Sequence, residues 1–127
     1  MGKTVIRTEA APAPFQGAPY NQAIVAGELV FVAGQLGLKP GDTAVEGDIT
    51  QQTAQALSNL AAILEAAGSS LDKLVKTSVF LMDLADFQAM NAVYATRVGE
   101  SPPARSTFQV AQLPSGALVE IEAIAHL

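Results

Sequence analysis

Apolar residues recur along this chain with two different periods, and the switches between them outline its elements. Thr4–Arg7 reads as a short strand, followed by an alanine- and proline-rich loop, residues 9–19, whose path the prolines fix. Ala23–Ala26 and Leu29–Ala33 are apolar β-type runs separated by Gly27-Glu28, the spacing of a hairpin. A turn-rich stretch, Lys39-Pro40-Gly41-Asp42, leads to the first helical period. Asp48 with Gln51 three residues on has the form of a capping box. Ala54, Leu57, Leu60, Ala61, Leu64 and Ala67 then recur at helical spacing, and Gly68 supplies a stop. Leu74–Leu81 reads as a strand. A second helix is predicted over Leu84–Arg97, with Phe87, Met90, Tyr94 and Val98 along one face, and Ser101-Pro102-Pro103 breaks it. Two strands, Ala104–Val110 and Leu118–Ala125, joined through Leu113-Pro114-Ser115-Gly116, finish the chain. The order predicts a single α+β domain over residues 1–127, with two helices on one face of a mixed sheet.

Strand alternation also proposes a polar site. In the last strand Val119, Ile121, Ala123 and Ala125 form one set, suited to lie under the helices, and Leu118, Glu120, Glu122 and Ile124 form the other. In the strand before it, Arg105, Thr107 and Gln109 oppose Ser106, Phe108 and Val110. Pairing the two strands with apolar faces aligned puts Arg105 and Thr107 on one face with Glu120 and Glu122, away from the helices. That face is sparse in charge and flanked by Leu118 and Ile124, so a neighbouring subunit is expected to cover part of it. On period and composition alone the arginine and glutamate are more often the parts of a structural ion pair than of a site, and Glu122 reads as a structural or edge carboxylate.

Composition narrows the chemistry. Half of the 127 residues are apolar and 15% are charged, with a net charge of −5 and no basic run. Such a chain lacks the electrostatic footprint of a nucleic-acid binder. Cysteine is absent, which removes disulfides, thiol nucleophiles and thiolate metal sites. The single histidine, His126, stands one residue from the C-terminus and reads as a mobile end, so no Ser-His-Asp arrangement and no zinc set is expected. Gly34, Gly37 and Gly41 are followed by no lysine-serine pair and do not make a phosphate loop. With no signal-like or membrane-length apolar stretch, the expected compartment is the cytoplasm, with neither membrane nor nucleic acid as partner. What remains is an anion clamp and a positioned water. A guanidinium grips a carboxylate with two parallel hydrogen bonds, and an ionised glutamate accepts a proton from water. An imine conjugated to a carboxylate is already electrophilic, so so sparse a site suffices for its hydrolysis.

Five stretches, in this order, resemble the RidA/YjgF family of enamine/imine deaminases along essentially the whole chain. They are Ala18-Pro19-Tyr20-Asn21-Gln22-Ala23, Phe31-Val32-Ala33-Gly34-Gln35, Asp72-Lys73-Leu74-Val75-Lys76-Thr77, Asn91-Ala92-Val93-Tyr94, and Pro102-Pro103-Ala104-Arg105-Ser106-Thr107 with Val119-Glu120-Ile121-Glu122-Ala123. The resemblance implies a chorismate-mutase-like fold, a homotrimer with clefts between subunits, and a role in metabolite damage control. It implies cofactor-free hydrolysis of 2-aminoacrylate and 2-iminopropanoate-type intermediates to 2-keto acids and ammonia. By matching position, Arg105 binds the substrate carboxylate and Glu120 positions and activates water. Tyr20 lines the cleft, Gly34 offers backbone to the ligand, and Asn91 and Thr107 complete the polar lining. Each of these has a structural alternative. Tyr20 is equally a packed loop aromatic, Asn91 a helix-end cap, and Gly34 a close-packing position. The Phe87, Met90, Tyr94 stripe reads as core. Ala33 stands where the family often has serine, Thr107 where cysteine or serine is common, and Asn21 where serine is usual, while Phe15-Gln16-Gly17 lengthens the approach to Tyr20. These departures bear on substrate preference. The competing function is a non-catalytic trimer that binds small carboxylates as a sensor or partner, in which Glu120 is dispensable. RNA cleavage, also attached to this family, is disfavoured by the acidic composition.

Overall fold

The computed structural model describes residues 2–127. Its strands are β1 (Lys3–Ile6), β2 (Ala23–Ala26), β3 (Leu29–Leu36), β4 (Leu74–Leu81), β5 (Ala104–Gln109) and β6 (Val119–His126); its helices are α1 (Ile49–Ala66) and α2 (Phe87–Ala95). The strands form one sheet in the order β1-β2-β3-β6-β4-β5. All neighbours are antiparallel except β4 and β5, which run parallel. Both helices cover one face, as the sequence predicts, and the core lies between. Val30, Val79, Leu81, Val119, Ile121 and Ala125 meet Leu57, Leu60, Ile63, Leu64 and Met90 there, all fully buried. Among the described residues no helix is long and apolar enough to cross a membrane.

Local signals are realised closely. Asp48 accepts a hydrogen bond from the Gln51 backbone N–H at 2.9 Å, and the Asp48 N–H donates to the Gln51 side chain at 2.9 Å, closing the capping box. Gly27 turns the β2–β3 hairpin at φ 61°. The sheet-facing side of α1 is less apolar than its leucine spacing suggests, because Gln52, Thr53 and Asn59 are buried with it. Asn59 donates to the carbonyls of Leu36 and Leu38, and Gln52 accepts from the Leu118 N–H, so these amides satisfy backbone where the strands leave the sheet.

Four expectations are corrected. The second helix does not run from Leu84 to Arg97: Leu84–Asp86 is a separate 3-10 turn, held by the Asp83 carboxylate accepting from the Ala85 N–H, and α2 itself spans Phe87–Ala95. β3 does not stop at Ala33 but continues to Leu36, because a bulge between Val32 and Gln35 absorbs the extra residue. His126 is not a mobile end. It pairs with Leu29, its carbonyl accepts from Ser69 Oγ at 2.6 Å, and the Leu127 N–H donates to Glu28 O.

The fourth correction matters most. β5 and β6 are not neighbours, since β4 lies between them. Thr77, Val79 and Leu81 of β4 point into the core and stand opposite Arg105, Thr107 and Gln109 in parallel register. Residues opposed in register share a face, so Arg105 and Thr107 lie on the helix side of the sheet. Glu120 and Glu122 alternate with the buried Val119, Ile121 and Ala123 and lie on the open side. Two features reverse the expected orientation of β5. It is an edge strand at the rim of the core, and α2 offers aromatic rings there that accept a guanidinium. Phe108 is consequently turned outward and is 56% exposed.

Candidate functional site

The residues singled out from the sequence fall into two groups on opposite faces of the sheet. On the open face, Glu120 projects from the start of β6 into a cavity of about 530 Å³ beside Gly34, with Tyr20, Leu36 and Pro114 in its wall. The β3 bulge makes this contact possible by turning Gly34 toward Glu120. A side chain at position 34 would put its Cβ 2.8 Å from Glu120 Cδ, closer than carbon atoms approach, so only glycine leaves the carboxyl against the strand. Burial first, and the negative charge of Glu122 second, hold the Glu120 carboxyl above the usual carboxylate range. A half-buried carboxyl poised in this way can take a proton from water and return it.

Tyr20 is 42% exposed, and its hydroxyl accepts from the Phe15 N–H at 2.6 Å, which folds the Phe15–Gly17 turn over one side of the cavity. The base of that loop is fixed by Gln22, which sequence reasoning did not single out. Its buried amide donates to the carbonyls of Thr8, Ala11 and Pro12 and accepts from the Thr8 N–H at 2.7 Å. The only sequence signal was an amide two residues past Tyr20, just ahead of an apolar strand.

Arg105 occupies the other face, in a cavity of about 410 Å³ with Asn91, Val98, Pro102 and Pro103. The guanidinium's support within the chain is aromatic: its carbon lies 4.8 Å from the Tyr94 ring centre and 5.6 Å from that of Phe87. The helical stripe read as core therefore has a second task at its rim. Asn91 Oδ1 in the same cavity is buried and has no hydrogen-bond partner among the described residues. Thr107 follows Arg105 on the same face, half-buried. Tyr20, Gly34 and Glu120 are thus brought together, as are Arg105 and Asn91, but the two cavities share no residue. Among the described residues no cluster of His, Cys, Asp and Glu fits a metal ion.

Each half of the arrangement has a definite capability. One presents a stacked guanidinium able to grip a carboxylate from two sides. The other presents a carboxyl of raised pKa in an apolar-walled recess, able to direct water.

Residues 8–127 match the family model described as Endoribonuclease L-PSP. The chain is 52% identical to a RutC family protein of Pyrococcus horikoshii, over 98% of each chain. It is 44% identical to the 2-iminobutanoate/2-iminopropanoate deaminase of Mus musculus, over 97% of this chain and 90% of that one. Among solved structures it superposes on RidA from an Antarctic Psychrobacter with a TM-score of 0.93 at 41% identity, covering 98% and 99% of the two chains. It superposes on E. coli TdcF with bound serine with a TM-score of 0.92 at 38% identity, covering 98% of each.

Proposed function

The chain belongs to the RidA/YjgF family, and from that premise we propose that it hydrolyses carboxylate-bearing imines and enamines of the 2-aminoacrylate and 2-iminopropanoate type to 2-keto acids and ammonia. The observation that carries this reading is the Glu120 carboxyl, held above its usual pKa range in a recess that Gly34 keeps open. The mouse relative named as a deaminase supports it.

In this mechanism Arg105 holds the substrate carboxylate and so fixes the imine carbon. An enamine first takes a proton at its terminal carbon and gives one up from nitrogen to become the imine. Glu120 accepts a proton from water as the water oxygen bonds to the imine carbon and the C=N π pair moves to nitrogen. The proton then passes to that nitrogen. The hydroxyl then gives its proton to the same nitrogen as the C–N bond breaks, so that ammonia leaves and the carbonyl forms. Asn91 and Thr107 beside Arg105, and Tyr20 beside Glu120, supply the polar lining.

Arg105 and Glu120 lie on opposite faces of one sheet, so a complete site joins Arg105 of one copy to Glu120 of another. We read the protein as a closed homotrimer with three such clefts. In support, the open face carries Val5, Phe31 and Phe108 at 45%, 41% and 56% exposure, beside Ile24, Phe80 and Ile124. An apolar surface of this kind is stable in water when covered.

The serine held by the TdcF neighbour carries a carboxylate but no imine, and this favours a second reading, a trimer that binds small carboxylates without turnover. Seven basic residues against twelve acidic ones give little support to the nuclease name of the family model. The deciding assay generates 2-aminoacrylate from serine with a serine/threonine dehydratase and follows pyruvate, with semicarbazide trapping the free intermediate. Acceleration by this protein supports the deaminase; rates equal to buffer across several amino-acid precursors leave the binder. In the same assay Gly34→Ala is expected to lower kcat about 10- to 100-fold by displacing the Glu120 carboxyl. Affinity for 2-ketobutyrate, which Arg105 governs, should change less than about threefold.

A further inference from the structure

Resting on the assignment of Arg105 as the carboxylate clamp, we infer that Thr77 and Tyr94 are positioning residues that aim its guanidinium through a buried hydroxyl pair. An arginine on an edge strand has a long, freely rotating side chain, and a clamp that sets substrate orientation needs it held in one place. The holding surface is the Tyr94 ring, 4.8 Å from the guanidinium carbon, with Phe87 two helical turns earlier at 5.6 Å. A ring on a helix can still turn about its own bonds, and here it is pinned. The Tyr94 and Thr77 hydroxyls share a hydrogen bond of 2.6 Å, with Tyr94 only 5% exposed and Thr77 fully buried.

Thr77 is also the β4 residue directly opposite Arg105 in the parallel β4–β5 register. The circuit therefore closes on itself. β5 carries the guanidinium, α2 the ring beneath it, and β4 the hydroxyl that fixes the ring. Phenylalanine and valine would fill the same volume without two buried hydroxyls that must satisfy each other. If the pair served packing alone, its loss would lower stability and leave Arg105 where it is.

The test uses Tyr94→Phe, Thr77→Val, the double variant and Tyr94→Leu in the full chain. Arg105 is one of three arginines, with Arg7 and Arg97, so its Nε–H signal in a nitrogen-15 NMR spectrum is readily assigned. In the wild type that signal should be displaced by the ring current of Tyr94. It should move toward the free-arginine position in Tyr94→Phe and Thr77→Val, and furthest in Tyr94→Leu. The dissociation constant for 2-ketobutyrate and the KM for the imine should each rise about fivefold in either conservative variant, the scale of one lost hydrogen bond. The double variant should be no worse than either single one, because both remove the same bond. kcat, which depends on Glu120, should hold within about twofold. An unmoved Arg105 signal in variants that still melt cooperatively overturns the assignment, as does additivity of the two single effects. If the deaminase reading fails instead, turnover is absent in the wild type while the Arg105 signal still responds. Tyr94→Phe and Thr77→Val keep the core filled, so the test stands even if Tyr94→Leu does not fold.

Discussion

Arg105→Ala is expected to lower kcat/KM for a carboxylate-bearing imine by about 10²- to 10³-fold, most of it in KM. The guanidinium offers a carboxylate two charge-assisted hydrogen bonds, each worth roughly 1.5–3 kcal/mol, and about 1.4 kcal/mol corresponds to tenfold. The loss falls mainly on binding because the carboxylate is gripped in ground and transition states alike. Arg105→Lys should recover only a part, about tenfold over alanine. An ammonium keeps the charge but cannot match the forked geometry or lie flat on Tyr94 and Phe87. Neither variant should cost the fold, since β5 is an edge strand and Arg105 is half-buried at the rim of the core. Steady-state pyruvate release, with 2-ketobutyrate affinity by calorimetry, reads the effect. Wild-type kinetics in Arg105→Ala would move the clamp to another cation, and Arg7, which lines the cavity of the N-terminal loop, is the first to test.

Glu120→Gln is expected to lower kcat by about 10²-fold or more while leaving 2-ketobutyrate affinity within about threefold. Glutamine has nearly the same shape but cannot accept the water proton. A carboxylate-binding trimer without chemistry would have no turnover to lose and would keep its affinity. The same residue sets the pH dependence. Glu120 must be ionised to act as base, so kcat/KM should fall as pH drops through its raised pKa. Glu122→Gln removes one of the two causes of that rise, and the acid limb should then move to lower pH. If assembly brings the Arg105 guanidinium of a neighbouring subunit near, it favours the ionised carboxylate, and in Arg105→Ala the limb should move to higher pH.

The two inactive variants also test the assembly. If each site takes Arg105 from one subunit and Glu120 from the next, refolding them together at equal amounts restores about one quarter of the wild-type sites in any closed ring with head-to-tail contacts. A site built within one chain would recover nothing.

Much of this was legible from the order of residues. The helix start at Asp48, its stop near Gly68, the hairpin at Gly27 and the strand Leu74–Leu81 are local events, fixed by side chains within a few residues of each other. So were the identities of the candidate residues, since Arg105 follows two prolines into a strand and Glu120 alternates with buried apolar neighbours. The sequence likewise removed thiol and multi-histidine chemistry outright.

Tertiary structure decided where those residues point. Alternation sorts a strand into two sets of side chains but does not say which set meets the helices. In β6 the apolar set is unambiguous, and hydrophobic burial orients the strand. In β5 one set holds Arg105 and Thr107 and the other Ser106 and Phe108, so neither dominates, and contact with Tyr94 and Phe87 settles it. The bulge in β3 acts in the same way: plain alternation groups Gly34 with Val30 and Val32 on the helix face, and one inserted residue returns it to Glu120. Insertion of β4 between β5 and β6 is a pairing of distant segments that no local pattern encodes. The sequence by itself determined which groups are present and which elements carry them. Whether two of them meet in one chain depended on strand order and on the packing of an edge, which are properties of the assembled sheet.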